Sequence, residues 1–176
     1  SGVFLGAAGV GIFVYAKQII NAFAQLIVFI RRVEFPNLVA MLGKDDSHPL
    51  ALTFRTMRLG LILAALGSAG VLATALLAQL MLPQTYAQAA MAVALFAPVI
   101  LSGAVYLTFP QTLNAMGLYR ASALPINIAV LLGAAATYLL TSLMGLTGMA
   151  LAELCLHLIG SALLHLRIRG IRKQHD

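Results

Sequence analysis

Residues 15–38 read YAKQIINAFAQLIVFIRRVEFPNL. Lys17, Gln18, Asn21 and Gln25 interrupt an otherwise apolar run that ends at Arg31-Arg32 and Phe35-Pro36. Lys17, Asn21 and Gln25 follow one another at i, i+4, i+8, with Gln18 beside them. On a helix that spacing gathers all four onto one side. The reading of this stretch decides the fold. In water it would be an amphipathic helix with a weak polar face. In a bilayer it would be a spanning helix whose polar face cannot meet lipid and must look into a bundle or an aqueous cavity.

Composition favours the bilayer. Of 176 residues, 61% are hydrophobic and 9% charged, and mean hydropathy is +0.97. Soluble domains carry roughly 25% charged residues. A spanning helix needs about 20 apolar residues, and five stretches qualify, near 11–30, 59–82, 87–113, 121–143 and 148–166. No charged residue occurs between Arg58 and Arg120. That run is too long for one helix, and LPQTY at 82–86 breaks it. The apolar runs do not alternate, which excludes a β-barrel pattern. The expected fold is therefore all-α, a polytopic membrane bundle of about five helices.

The basic residues agree with that division. Arg31, Arg32, Lys44, Arg55 and Arg58 follow the first span, Arg120 the third, and Arg167, Arg169, Arg172 and Lys173 the fifth. The residues before the first span, and the connections after the second and fourth, carry none. Lys and Arg concentrate in cytoplasmic connections. The expectation is a cytoplasmic loop over 31–58 and a cytoplasmic tail over 167–176, with the C-terminus on the cytoplasmic side. The net charge of +6 thus reports topology, and nucleic acid is not expected as a partner. The sole cysteine, Cys155, falls in an apolar run and reads as a small buried hydrophobe. The chain starts at Ser1 without a signal-peptide layout, and reads as a fragment whose upstream part is missing.

Small residues at Gly60, Ala64, Ser68 and at Ala129, Gly133, Thr137 suit close helix packing. Pro98 should kink the third span. Lys17 precedes Arg31 by 14 residues, about 21 Å of helix, and Glu153 precedes Arg167 by the same interval. The two charges thus share a depth and could pair. His157 lies one turn from Glu153, which suggests an ion- or proton-linked pair or a packing contact. A lysine at that depth could also snorkel to the far interface, whereas Asn21 and Gln25 could not. No phosphate loop, HExxH or GxSxG motif occurs, and His48, His165 and His175 make no metal-ligand spacing. Neither enzymatic activity, a metal nor a cofactor is expected.

FLGAAGVGIFVYAKQIINAFAQLIVFIRRVEFPNL resembles the middle of the polysaccharide flippases of the multidrug/oligosaccharidyl-lipid/polysaccharide exporter superfamily. Gly6, Gly9, Gly11, Ala16 and Phe35-Pro36 carry the likeness, and GLTGMALAELCLHLIG is similar to the opening of that family's last helix. The resemblance covers nearly the whole chain. It implies a partial C-terminal lobe of a two-lobe transporter of a bacterial inner membrane, partnered by an N-terminal lobe of the same protein. It also implies a cavity lined by the 11–30 helix, and a polyprenyl-pyrophosphate-linked oligosaccharide as cargo. Lys17 would then meet phosphate, with Gln18, Asn21 and Gln25 binding sugar. A drug or metabolite exporter of the same superfamily would use Glu153 as its cavity acid. A non-transporting membrane scaffold would bury the Lys17 stripe against a partner.

Overall fold

The computed structural model describes residues 2–42 and 48–172. Within them lie five α-helices and one 3-10 turn, and no strand: α1 Gly2–Leu42, α2 Pro49–Thr56, α3 Arg58–Met81, α4 Gln84–Ala115, the turn Tyr119–Ser122, and α5 Ala123–Arg172. Lys44 of the first basic connection, and Lys173 and His175 of the tail, lie outside the described residues. Four helices are long and apolar enough to span a bilayer. The protein is an all-α, multi-pass membrane bundle. Leucines such as Leu80, Leu131 and Leu143 face outward, as lipid contact requires of a bundle without a soluble surface.

The fourth spanning segment is two passes. α5 is 50 residues long, about 75 Å if straight, more than twice the roughly 30 Å hydrocarbon core. Gly145 divides it at φ 59°, ψ −130°, outside helical geometry and open to glycine alone. The chain folds back there. A side chain on Gly148 would strike the Leu140 carbonyl, one on Gly133 would strike Leu156, and one on Gly160 would approach Ala129. Contacts that move outward in both directions from Gly145 describe an antiparallel hairpin of arms 123–144 and 146–172. The expected fourth and fifth helices are these arms. Of the Ala129, Gly133, Thr137 series, the first two are buried in the hairpin seam, while Thr137 is exposed and bonds back to the Gly133 carbonyl.

α3 and α4 form a second hairpin, broken at Leu82-Pro83 as the sequence indicated. Gly60 and Ala64 are buried on α3, and Ser68 Oγ donates to the Ala97 carbonyl of α4 at 2.9 Å. α4 continues as one helix through Pro98 and Pro110. It is the central post, with α1, α3 and α5 all packed on it. Its face at Phe96, Ala97 and Ile100 is almost fully buried.

The loop expected over 31–58 is the main correction. α1 does not end at Phe35-Pro36, since Pro36 lies inside the helix and α1 runs on to Leu42. Arg31 is not a solvated topology anchor; it is fully buried. The reason is that the basic end carries its own apolar core. Leu38, Leu52 and Met57 join α1, α2 and the start of α3. Leu50, Phe109, Leu113, Leu164 and Ile168 join α2, α4 and the end of α5. Thr112 Oγ1 donates to Thr53 Oγ1 at 3.0 Å, and His165 meets the Phe109 ring edge-on at 6.2 Å. The expected tail likewise extends α5 to Arg172. These segments form a folded cap. Cys155 is only partly buried.

Gly145→Val should lower stability by about 2 kcal/mol or more, because a β-branched residue cannot relax at this φ/ψ. At this chain length that corresponds to a fall of roughly 5 °C in the thermal midpoint of detergent-solubilised protein. Gly11→Val, where a new Cβ has no neighbour within 4 Å, is the control and should leave the midpoint nearly unchanged.

Candidate functional site: a charged pair and polar cavity within the bundle

Glu153 stands on the second arm of α5, one helical layer across from α1. Lys17 Nζ and Glu153 Oε1 are 2.5 Å apart, with the two side chains 24% and 26% exposed. The equal depths read from the sequence are thus accompanied by lateral contact. The pair answers the cost of placing either charge alone in hydrocarbon. Lys17 is held from beneath by the Phe96 ring, whose centroid is 5.9 Å from Nζ, and Phe13 packs on Phe96 at 5.7 Å. An ammonium over an aromatic face is attracted by the ring quadrupole. Lys17 therefore turns inward to a partner and does not snorkel.

His157 follows Glu153 by one turn on α5. Its Nδ1 is 2.9 Å from Ser102 Oγ on α4, and its ring stacks on Tyr106 with centroids 5.5 Å apart and planes 21° from parallel. Ser102 and Tyr106 are themselves one turn apart on α4. Gly103 lets the imidazole approach, since a Cβ there would lie 3.2 Å from His157 Cε1. Gly160 gives Tyr106 its space in the same way, a Cβ there lying 2.5 Å from the Tyr106 ring. The histidine is thus fixed by a hydrogen bond on one side and a ring on the other, in the packing role the sequence left open for it.

Asn21, Glu153 and His157 line a cavity of about 190 Å³ walled by Ile20, Val99 and Leu107 among others. Lys17 sits at its edge through the bond to Glu153. Gln18 and Gln25 are exposed and do not line this cavity. Residues four apart on a helix advance by about 40° around the axis, so the stripe drifts off the α5-facing side before it reaches Gln25. Of the expected binding residues, the structure brings Lys17 and Asn21 together with Glu153 and His157, and leaves Gln18 and Gln25 on the outer face of α1. Among the described residues no group of three or more His, Cys, Asp or Glu is placed to hold a metal ion.

A second polar centre lies toward the basic end. Arg31 Nη2 donates to the Ala104 carbonyl and to Thr108 Oγ1 at 3.0 Å. The guanidinium thereby clamps α1 to α4. Glu34, one turn on, approaches Gly60 of α3 together with Arg31 and Ile30. Sequence reasoning took Arg31 for a loop residue. The missed signal was that Arg31 and Glu34 are one helical turn apart, with the apolar positions Phe35 and Leu38 continuing the helix beyond them.

Comparison with protein-family models, curated proteins and solved structures finds no match. The functional reading rests on this geometry and on the resemblance in the sequence.

Removing one charge of the Lys17–Glu153 pair should cost more stability than removing both. In a double-mutant cycle of Lys17→Met and Glu153→Gln, a coupling of about 1–3 kcal/mol is expected from thermal or denaturant unfolding in detergent. Additive effects would mean that the pair does not hold α1 to α5. In a Cys155→Ser background, Asn21→Cys should react with a water-soluble maleimide. Ile20→Cys, at a position 3% exposed, should not; protection of both would place the Asn21 face against a partner helix.

Proposed function

We propose that this chain is one lobe of a flippase that carries lipid-linked oligosaccharide across a bacterial cytoplasmic membrane by alternating access, for O-antigen, lipopolysaccharide or another surface polysaccharide. The C-terminus is on the cytoplasmic side, in keeping with the basic ends of the spans. The observation that carries the reading is a cavity within the bundle that Asn21, Glu153 and His157 help to line, bordered by the lysine of the Lys17–Glu153 pair. Such a cavity is expensive in hydrocarbon and marks a path for a polar cargo.

The physical task is to move a pyrophosphate and hydrated sugars through a medium that solvates neither. Lys17 would take the phosphate charge, exchanging its bond to Glu153 for one to the cargo, and Asn21 would hydrogen-bond sugar. Gln18 and Gln25, on the outer face of α1, would meet cargo from the side of a second lobe. A cavity of about 190 Å³ is smaller than the roughly 300–1,000 Å³ of ordinary ligand sites. In this reading it is one wall of a larger site that the opposite lobe completes. Rocking of the lobes would open the site to each side in turn. Binding and reorientation suffice, with no covalent step.

One observation favours a second reading, an exporter of organic cations from the same superfamily. Glu153 itself lines the cavity, whereas Lys17 contacts it only through Glu153. An acid so placed suits a cationic cargo once Lys17 moves away.

In the full-length protein, Lys17→Ala should reduce surface polysaccharide several-fold at unchanged protein level, and Lys17→Arg should restore most of it. Full display by Lys17→Ala would remove the lysine from the mechanism and sink the flippase reading of this cavity. Loss of organic-cation efflux in Glu153→Gln, with polysaccharide display intact, would establish the exporter instead.

A further inference from the structure

Arg31 uses only part of its bonding capacity. A guanidinium is a planar group with N–H donors on all three nitrogens. Nη2 donates to the Ala104 carbonyl and to Thr108 Oγ1, whereas Nε and Nη1 have no hydrogen-bond partner among the described residues. Glu34, one turn further along α1, is the complement: its Oε2 is buried and is likewise without a partner there. Both side chains pass over the same residue of α3, since a Cβ on Gly60 would lie 3.9 Å from Arg31 Cγ and 3.9 Å from Glu34 Oε2. Residues three apart on a helix are surface neighbours, close enough for an arginine and a glutamate to pair. The guanidinium instead lies on α4. A buried donor or carboxylate oxygen left unpaired has lost its water and gained nothing for it. Arg31 thus has two competing sets of acceptors, one on α4 and one on its own helix.

The clamp sits where the cavity ends. Ile27 on α1 and Ala104 on α4 help to line the cavity beside the Lys17–Glu153 pair. Arg31 is one turn beyond Ile27, and Thr108 is one turn beyond Ala104, both toward the basic end. Residues one turn apart share a helix face, so the clamp continues both lining faces and closes the space between them. Past the clamp the seam stays polar. Thr112 Oγ1 donates to the Thr108 carbonyl and to Thr53 Oγ1 of α2, each at 3.0 Å. Arg31, Thr108, Thr112 and Thr53 are all fully buried. They form a file of polar groups from the cavity to the cap. Such a seam takes up water when helices part, whereas an aliphatic seam would have to expose apolar surface.

We propose that Arg31 is the gate between the cavity and the basic face of the protein. In the closed state its guanidinium binds the Ala104 carbonyl and the Thr108 hydroxyl and seals α1 to α4. In the open state it pairs with Glu34 on its own helix, α1 parts from α4 at this level, and the threonine seam admits water to Asn21. The buried charge has acceptors in both states, so neither state strands it within the bundle. The gate rests on the proposed function only in taking the cavity for a path, and it holds for any polar cargo.

The test reads access to Asn21 from each side. Full-length protein carrying Asn21→Cys as its one cysteine is labelled in sealed membrane vesicles of both orientations, with a charged, membrane-impermeant methanethiosulfonate as probe. Arg169→Cys, at an exposed position on the basic end, shows which orientation presents that face and gives a rate that the gate does not control. From that face, Glu34→Gln should slow labelling of Asn21→Cys by about five-fold or more, because the open state loses its ion pair. Thr108→Val should speed it by about five-fold or more, because the closed state loses an acceptor, and Thr108→Ser, which keeps the hydroxyl, should stay within about two-fold of the parent. Gel filtration and an unchanged rate at Arg169→Cys confirm that each variant folds. Labelling in Glu34→Gln as fast as in the parent, or equal rates in Thr108→Val and Thr108→Ser, overturns the gate. So does labelling of Asn21→Cys from the opposite face alone in every variant. Polysaccharide does not enter these rates, so full display by Lys17→Ala would sink the flippase reading and leave the gate standing.

Discussion

A bilayer offers no water to a charge, and the Lys17–Glu153 bond is how this bundle meets that constraint at its centre. The two residues belong to the first and last passes of the chain, 136 positions apart, and both passes lean on α4. Phe96 beneath the ammonium, and Ser102 and Tyr106 around His157, are α4 residues. The central helix is thus a platform that sets α1 and α5 at a separation where one salt bridge can close. Were the pair absent, each side chain would need water drawn into the core or its own neutralisation, either of which costs several kcal/mol. The cavity is the space left beside the bond because Asn21, Glu153 and His157 are too short to fill the gap between α1, α4 and α5.

Toward the basic end the same constraint is met differently. Among the described residues no carboxylate is at bonding distance from the buried Arg31, and it turns to a helical carbonyl and a threonine hydroxyl. The Ala104 carbonyl accepts from Arg31 and from Thr108 Oγ1. This concentration of donors on one carbonyl ties α1 to α4 where the cap begins. α2 adds apolar residues that continue the core past the spans. The cap and the spans are therefore one packed body along α1, α4 and α5.

Much of this was legible in the sequence because bilayer physics is coarse. Long apolar helices and the break at Leu82-Pro83 each follow from one-dimensional rules, and the helices agree with both. The contact between Lys17 and Glu153 was within reach because equal distances from two arginines give equal depths. Depth does not give azimuth, however, and that is why Gln18 and Gln25 were placed on the cavity. An i, i+4 stripe slides around a straight helix, so its members cannot all face one narrow neighbour over about two turns. The cap was hidden for a different reason. Arg31, Arg32 and Pro36 are strong signals of a helix end when counted singly. Burial of Arg31 depends on Ala104 and Thr108, more than 70 residues away, and Pro36 costs α1 only the Arg32 carbonyl's helical donor. The reversal at Gly145 was expected between spans, and glycine carries it there without a break in the apolar run.

α1 borders two spaces, the cavity beside the Lys17–Glu153 pair and an apolar groove between α1 and α3, and Ile27 lines both. Gly60 and Gly67 bring α3 against Ile30, Arg31 and Phe23 of α1 on the basic side, whereas a side chain at Gly70 would meet no neighbour. The charged pair therefore sets where α1 lies against α5, and the close contact at Phe23 and Gly67 sets where α1 and α3 begin to part.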